Sequence, residues 1–178
     1  QYFYRNKMEF TFSNKRWLSQ QEIQSEKEIK DRSALGFHAP GMFDKVIDLD
    51  NCYLQKEPSN SIRLSVKQFA DKNKLSYFDI KNQNGLLRNL IIRTSSTNDL
   101  MVLVQFFEDD KEKITLLMEH IKNSFSEITS LLYIINNKAN NTIYDQDIVC
   151  YNGKDYITEE MDGLKFRINA KSFFQTNS

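Results

Sequence analysis

The opening of the chain alternates between apolar and polar positions, which predicts a half-buried β-strand. One side carries Tyr4, Asn6, Met8, Phe10 and Phe12, and the other carries Arg5, Lys7, Glu9 and Thr11. The polar stretch 14–32 predicts a long loop or a hairpin excursion. Short apolar runs at 35–38 and 43–49 predict two further strands, because Ala39-Pro40-Gly41 between them is a turn signal.

Two later segments have helical spacing. After the capping cluster Ser59-Asn60-Ser61, apolar residues recur at intervals of three and four as far as about residue 74. A second apolar stripe, 114–125, follows Asp109 and Asp110, which favour a helix start through the helix dipole. β-branched runs at 86–94 and 100–107 predict a hairpin between the two helices.

The order of elements from 43 to 136 is therefore β-α-β-β-α-β, since 129–135 is one more apolar strand. This order predicts an α+β fold with a ferredoxin-like core, an antiparallel sheet and both helices on one face. The N-terminal strands are expected to extend the sheet or form a side layer. Short strands are predicted to follow near the C-terminus, at 148–151, 156–158 and 164–168.

Composition fits one globular domain, because 178 residues with 40% hydrophobic content can bury a core. The apolar runs are too short to span a bilayer, and no signal-peptide pattern is present. We therefore expect a cytoplasmic protein with no membrane partner. Two cysteines cannot form a disulfide framework, so Cys52 and Cys150 are expected to be reduced thiols, with Cys150 in the core.

Charge is balanced overall but unevenly distributed. Lys plus Arg and Asp plus Glu each number 24, so net charge gives no signal for nucleic acid. Segment 60–95 is rich in lysine and arginine, whereas 142–163 is rich in acids with Lys154 as its one base. Such a distribution can orient a polyanion, but an ordinary solvated surface has the same composition, and both readings stay open.

Catalytic chemistry is almost invisible in the sequence. We find no glycine-rich phosphate loop and no cysteine or histidine pair at metal-ligand spacing. His38, in the stretch Gly36-Phe37-His38-Ala39-Pro40-Gly41, either faces a ligand or belongs to a structural turn. The residues alone indicate a binding or structural α+β domain.

Five stretches in order resemble the RNA uracil-C5 methyltransferases. They are Tyr4-Arg5-Asn6-Lys7-Met8-Glu9-Phe10, Gly36-Phe37-His38, Val46-Ile47-Asp48-Leu49-Asp50-Asn51-Cys52, Leu87-Arg88-Asn89-Leu90-Ile91-Ile92-Arg93-Thr94 and Phe173-Phe174-Gln175-Thr176-Asn177. That family uses S-adenosylmethionine to make 5-methyluridine in ribosomal or transfer RNA. Its members usually have an N-terminal oligonucleotide-binding barrel, a central α+β domain and a C-terminal Rossmann-like methyltransferase domain.

The resemblance implies that 1–168 is the central substrate-recognition domain and that 169–178 begins the catalytic domain. The barrel, the nucleophilic cysteine and the general base would lie outside this chain, so these residues alone are expected to be inactive. They are expected to bind and orient RNA, with 23S ribosomal RNA favoured over transfer RNA. The alternatives are a non-catalytic ferredoxin-like RNA-binding module and a small-molecule regulatory domain.

The resemblance also implies two ligand contacts. Gln175 matches the glutamine of the family's F-x-Q-x-N segment, which contacts S-adenosylmethionine. Cys52 matches the fourth cysteine ligand of an iron–sulfur cluster that some ribosomal-RNA members carry. Because such a cluster needs four ligands, we expect Cys52 to be a free thiol in this chain. A cluster, if there is one, is expected only in the longer protein of which this chain would be a part. Since a further domain is expected to follow, we expect Phe173, Phe174 and Gln175 to lack partners.

The expected RNA contacts are Arg5, Lys7, His38, Arg88 and Arg93. The separation between Arg88 and Arg93 is odd, so in a regular strand they face opposite sides, and one patch requires that a bulge or the strand end intervenes. Each of these residues can instead be a solvated or salt-bridged surface residue. The aromatic rings of Phe37 and Phe43 near His38 either stack on an unpaired base or pack in the core.

Overall fold

The computed structural model describes residues 2–25, 29 and 31–175, and it confirms the α+β class. Its elements in chain order are β1 (Lys7–Ser13), α1 (Gln20–Gln24), β2 (Ala34–His38), β3 (Val46–Asp48), α2 (Ser59–Lys72), β4 (Leu87–Thr94), β5 (Leu100–Phe106), α3 (Lys111–Ser124), β6 (Ser130–Ile135), β7 (Ile148–Gly153), β8 (Tyr156–Met161) and β9 (Leu164–Asn169).

Seven strands form one mixed sheet in the order β3-β2-β1-β4-β5-β6-β7, with β8 and β9 as a separate hairpin. All neighbours are antiparallel except β5 and β6, which α3 connects as a crossover. The N-terminal strand therefore extends the sheet, as expected. In a ferredoxin-like sheet the strand before the first helix lies among the later strands; here β3 lies at the edge, because β1 pairs with β4.

Both helices cover the same face of the sheet, as predicted. Ile62 and Val66 of α2 and Leu117 of α3 are fully buried against strand residues such as Phe10 and Val104. Burial of each such side chain stabilises the fold by about 1.5–3 kcal/mol. This helix-side core holds the sheet rigid and leaves the other face available for a second layer.

The opposite face is only partly covered, by the β8–β9 hairpin. Ile157 and Ile168 pair across that hairpin and pack on Leu103 and Leu132 of the sheet. Thr97 ties the hairpin to the β4–β5 turn, because its Oγ1 donates to the carbonyl of residue 158 at 2.6 Å. On the same face, Asn141 of loop 136–147 lies beside Thr11 of β1 and His38 of β2.

The segment 14–32 contains a short helix, although its polar composition predicted only a loop or a hairpin. Ser19 and Glu22 form a capping box: the Glu22 amide donates to Ser19 Oγ at 3.2 Å, and the Ser19 amide donates to Glu22 Oε2 at 2.8 Å. This Ser-x-x-Glu spacing was the signal for the helix α1. Arg16 strengthens the cap through an ion pair to Glu22 at 2.7 Å.

Cys150 is exposed, and its predicted place in the core was wrong. It lies on β7, which forms the outer edge of the sheet. Its neighbour across the strand pair is the buried Leu132. The strand has apolar residues, but as an edge strand it has less cover than the central strands.

His120 joins the two helices and makes the stability of the fold depend on pH. Its ring stacks on Phe69 at 4.0 Å between centroids, and Nε2 lies 2.9 Å from Ser65 Oγ. Burial lowers the pKa of His120 below its usual 6.5, against an opposing hydrogen bond between the ring and the Ser65 main chain.

Because the pKa of His120 is lower in the folded state, its protonation favours unfolding. Its stabilising contribution is complete above about pH 6.5 and is lost as pH falls through the folded pKa. We expect His120→Gln to have a shallower loss of unfolding free energy than wild type between pH 7 and pH 5, measured by urea denaturation. Equal slopes for the two proteins would contradict this assignment.

Candidate nucleic-acid interface

Lys7 and Arg93 lie side by side on the face of the sheet opposite the helices. They are register partners across β1 and β4. Burial lowers the pKa of Lys7; Glu9, with Oε2 4.0 Å from Lys7 Nζ, opposes this, and Arg93 adds to it. The side chain of Lys7 is half-buried, and the more deeply buried guanidinium of Arg93 lies next to it.

Arg93 is only 7% exposed and supports the segment after β9. Its Nη2 donates to the carbonyl of Ser172 at 3.0 Å, and burial lowers its pKa. Of the two arginines of β4, it is the one that shares a face with Lys7. Its guanidinium adds positive charge beneath the surface while holding the C-terminal segment against the sheet.

Arg5 and Gln175, predicted for different ligands, line one cleft of about 780 Å³. Asn6 connects the two ends of the chain, because its Nδ2 donates to the main-chain carbonyl of Gln175 at 2.8 Å. Gln175 itself is exposed, so its side chain is placed at the surface as a ligand contact requires. Four carboxylate residues also line this cleft: Glu57, Asp99, Glu127 and Glu159. The cleft is therefore a poor binding site for a polyanion.

The C-terminal aromatic residues differ in their packing. Phe173 is 89% exposed, as expected for a residue without partners. Phe174 packs against the core under the β8–β9 hairpin, so the expectation that it lacks partners was wrong. Thr176 and Asn177, the rest of the resembling segment, lie outside the described residues.

Arg88 occupies the β-bulge that one basic patch would have required, yet its side chain is buried. Nη1 donates to the carbonyls of Asn136 at 2.8 Å and Lys138 at 2.6 Å, and Nε donates to Asn141 Oδ1 at 3.0 Å. The guanidinium lies over the ring of Phe78, 4.7 Å from its centroid. Burial lowers the pKa of Arg88 to about 10. In this conformation Arg88 supports loop 136–147, and phosphate contact by it stays a prediction that requires the loop to move.

His38 is exposed at the end of β2. Its Nε2 lies 3.4 Å from Thr11 Oγ1 on the polar side of β1. Phe37 belongs to the core, where it contacts Phe10 with ring centroids 5.3 Å apart, whereas Phe43 is 65% exposed. We call Lys7, Thr11, His38 and Phe43 the polar strip.

Two polar residues of this region were missed as site candidates. Thr11 lies on the polar side of the alternation that predicted β1, so its outward position was readable. Asn89 interrupts the apolar run 86–94, and it is 1% exposed. A polar residue inside a buried strand was the available signal.

Cys52 is a half-buried free thiol. Its main-chain amide donates to Asn60 Oδ1 at 3.3 Å. Within 2–25, 29 and 31–175, no three His, Cys, Asp or Glu residues are grouped as a metal site would need. A single thiolate does not fit an iron–sulfur cluster, which requires four ligands. Across the same residues, no helix is long and apolar enough to cross a membrane.

Comparison with known proteins finds full-length similarity to segments of larger proteins, although no family model matches the chain. A protein named an uncharacterized RNA methyltransferase from Bacteroides thetaiotaomicron is 52% identical over 99% of this chain. Proteins of the same name from Porphyromonas gingivalis and Chlorobaculum tepidum are 51% and 40% identical over 99% and 98% of it. The chain spans 37–39% of the length of these relatives.

A solved structure has the same fold. The crystal structure of Pyrococcus abyssi tRNA (uracil-54, C5)-methyltransferase in complex with S-adenosyl-L-homocysteine matches with a TM-score of 0.72. The match covers 98% of this chain and 37% of that one, at 24% sequence identity. At this identity the likeness supports the fold alone.

Proposed function

Because this whole chain is homologous to part of proteins named RNA methyltransferases, we propose that it is the central substrate-recognition part of an S-adenosylmethionine-dependent RNA (uracil-5-)-methyltransferase. The observation that carries the proposal is 51–52% identity over 99% of the chain. In this proposal 1–168 form the recognition domain and 169–178 lead into the catalytic domain.

The chain's own contribution is to hold and orient RNA. Charge favours the polar strip over the cleft for this task, because Lys7 and the buried Arg93 lie at one end of the strip and four acids line the cleft. Arg5 borders both regions, since it precedes β1 and lines the cleft. The RNA backbone would then run along β1, with Arg5 and Lys7 at its phosphates.

The reactive groups of the proposed enzyme are a cysteine nucleophile and a general base in the missing catalytic domain. S-adenosylmethionine supplies the methyl group in that family. Gln175 is the described residue proposed to contact this cofactor, since an amide offers both donors and an acceptor. Its exposed position and the bond from Asn6 to its carbonyl support this placement. Cys52 takes no part in the proposed reaction. A cluster would use it as a ligand only in the longer protein.

The proposed substrate is 23S ribosomal RNA, located in the cytoplasm. The match of Cys52 to a ligand position of ribosomal-RNA members supports this choice over transfer RNA. The test incubates the intact protein and methyl-labelled S-adenosylmethionine with 23S rRNA or tRNA lacking 5-methyluridine. Labelled 5-methyluridine after nuclease digestion of the rRNA is the expected result. Label in the tRNA alone would show that transfer RNA is the substrate and contradict the choice of 23S rRNA. Absence of labelled 5-methyluridine from both RNAs would contradict the enzyme class.

Lys7→Gln is expected to weaken RNA binding by the intact protein in a salt-dependent way. Loss of one phosphate contact reduces the slope of log affinity against log salt by about 1, whatever the RNA sequence. The measurement is fluorescence anisotropy at several salt concentrations. Lys165→Gln, on the exposed hairpin strand β9, is the matched control and should keep the wild-type slope. Equal slopes for Lys7→Gln and wild type would remove Lys7 from the interface.

A further inference from the structure

A narrow pocket opens on the polar strip between β1, β2 and β4. Thr11, His38, Phe43, Asn89 and Asn141 are among the residues that line it. Its enclosed volume is about 10 Å³, which is close to the minimum space for one water molecule. A ligand larger than water can therefore lie only across the mouth and insert a single polar group.

One residue that lines this pocket carries an acceptor without a partner. Asn89 is 1% exposed, and its Oδ1 has no hydrogen bond within the part of the chain that the structure describes. Its Nδ2 donates to Glu9 Oε1 at 3.2 Å and to Thr11 Oγ1 at 3.4 Å, and these bonds fix which way the amide points. A buried acceptor left unsatisfied costs about 1–3 kcal/mol, so a donor entering the pocket is stabilised.

The rim of the pocket carries a flat apolar surface. Phe43 is 65% exposed, and Lys81 Nζ lies 5.8 Å from the centroid of its ring. His38 is exposed on the other side, with Nε2 beside the Thr11 hydroxyl. A flat ring next to a recessed acceptor matches an unpaired nucleobase, which offers a stacking face and an edge with N–H groups.

We propose that an unpaired base of the bound RNA stacks on Phe43 and donates an N–H to Asn89 Oδ1 through the mouth of the pocket. This inference rests on the proposed function and deepens it. Each RNA base has an N–H donor on its Watson–Crick edge, so the pocket recognises an unpaired base more than a particular sequence. The entering donor supplies the hydrogen bond that Asn89 Oδ1 lacks.

This base is a different nucleotide from the methylated uracil. The cofactor-side residue Gln175 is held by Asn6, and Thr11 lies five residues further along the same chain segment. At about 3.3 Å per residue the two places are roughly 16 Å apart. The pocket therefore fixes the register of the RNA at a distance from the reacting base.

The first test substitutes the stacking surface in the intact protein. Phe43→Ala is expected to weaken RNA binding about tenfold, since stacking of one base is worth about 1–3 kcal/mol by alanine substitution. It should raise KM for RNA methylation while leaving kcat at saturating RNA close to wild type. Phe166→Ala removes an exposed phenylalanine from the β8–β9 hairpin and is the matched control.

The second test identifies the base that stacks on Phe43, by combining changes in the RNA with the Phe43→Ala substitution. Each nucleotide of a minimal RNA substrate is replaced in turn by an abasic residue, and affinity is measured for wild type and Phe43→Ala. One position, distinct from the methylated uridine, should weaken wild type about tenfold and leave Phe43→Ala unchanged. At that position, a base that keeps its ring but lacks an N–H donor, such as N3-methyluridine or purine riboside, should also bind wild type more weakly.

The outcomes separate this inference from the proposed function. The protein could methylate RNA while each abasic substitution and Phe43→Ala have additive effects on affinity at every position. This result would contradict the proposed base contact and leave the enzyme class intact. Lower thermal stability of Phe43→Ala in the intact protein with unchanged RNA affinity also overturns it, because Phe43 would then be a contact to another protein segment. A protein that methylates no RNA fails the proposed function itself.

Discussion

Replacing Arg88 by leucine is expected to lower the free energy of unfolding of this chain by about 3 kcal/mol. The substitution removes two donations to main-chain carbonyls and one to Asn141, which together hold loop 136–147 against the sheet. Each buried acceptor left unpaired costs about 1–3 kcal/mol. Burial lowers the pKa of Arg88 to about 10, because desolvation disfavours its charged form. Replacing the side chain also removes this desolvation cost, so the net loss of stability is smaller than the sum of three hydrogen bonds.

Arg88→Lys should recover only part of the loss, because an ammonium cannot make the forked contacts of a planar guanidinium. Arg167→Leu, at an exposed position on β9 where the guanidinium lies over the Tyr156 ring, is the control and should change stability by less than about 1 kcal/mol. The measurement is urea denaturation followed by circular dichroism. If Arg88→Leu were as stable as the control and lost RNA affinity with a smaller salt slope, Arg88 would be a phosphate contact.

Residues 1–178 alone are expected to transfer no methyl group to RNA, whereas the intact protein is expected to transfer one. The proposal places the nucleophile, the general base and most of the cofactor site in another domain, so the chain supplies Gln175 and an RNA surface. The chain should still bind RNA, with an affinity that falls as salt rises. The assay follows labelled methyl groups from S-adenosylmethionine into RNA, with chain and intact protein at equal concentration.

A matched control keeps this result interpretable. The isolated chain must show a cooperative thermal transition, so that lack of transfer is not lack of folding. Methyl transfer by the folded chain alone would contradict the domain assignment at 1–168 and 169–178.

Local elements were predictable from the sequence because their signals are local. The alternation at 4–12 gave the strand β1 and its two faces, and helical spacing gave α2 and α3 close to their observed bounds. The position of β3 at the sheet edge was not predictable. It depends on the pairing of β1 with β4, which are separated by about eighty residues, and no local pattern reports such a contact.

The candidate site was predictable only in part. The polar side of β1 placed Lys7 and Thr11 at the surface, the stretch 36–41 singled out His38, and the resemblance brought Gln175 into consideration. The burial of Arg88 could not be foreseen, because it arises from a bulge against β5 and from carbonyls of a loop after β6. The unpaired oxygen of Asn89 depends in the same way on neighbours from β1, which only the assembled sheet defines.

The most direct test of the central claim is release of tritium from RNA labelled at C5 of uridine. Methylation at C5 replaces the C5–H bond by a C5–CH3 bond, so each turnover sends one labelled proton to water. The intact protein with S-adenosylmethionine and uridine-labelled 23S rRNA is predicted to release tritium in a one-to-one ratio with methyl groups incorporated. Methyl incorporation without tritium release would place the modification at another atom and contradict assignment to the RNA uracil-C5 methyltransferases.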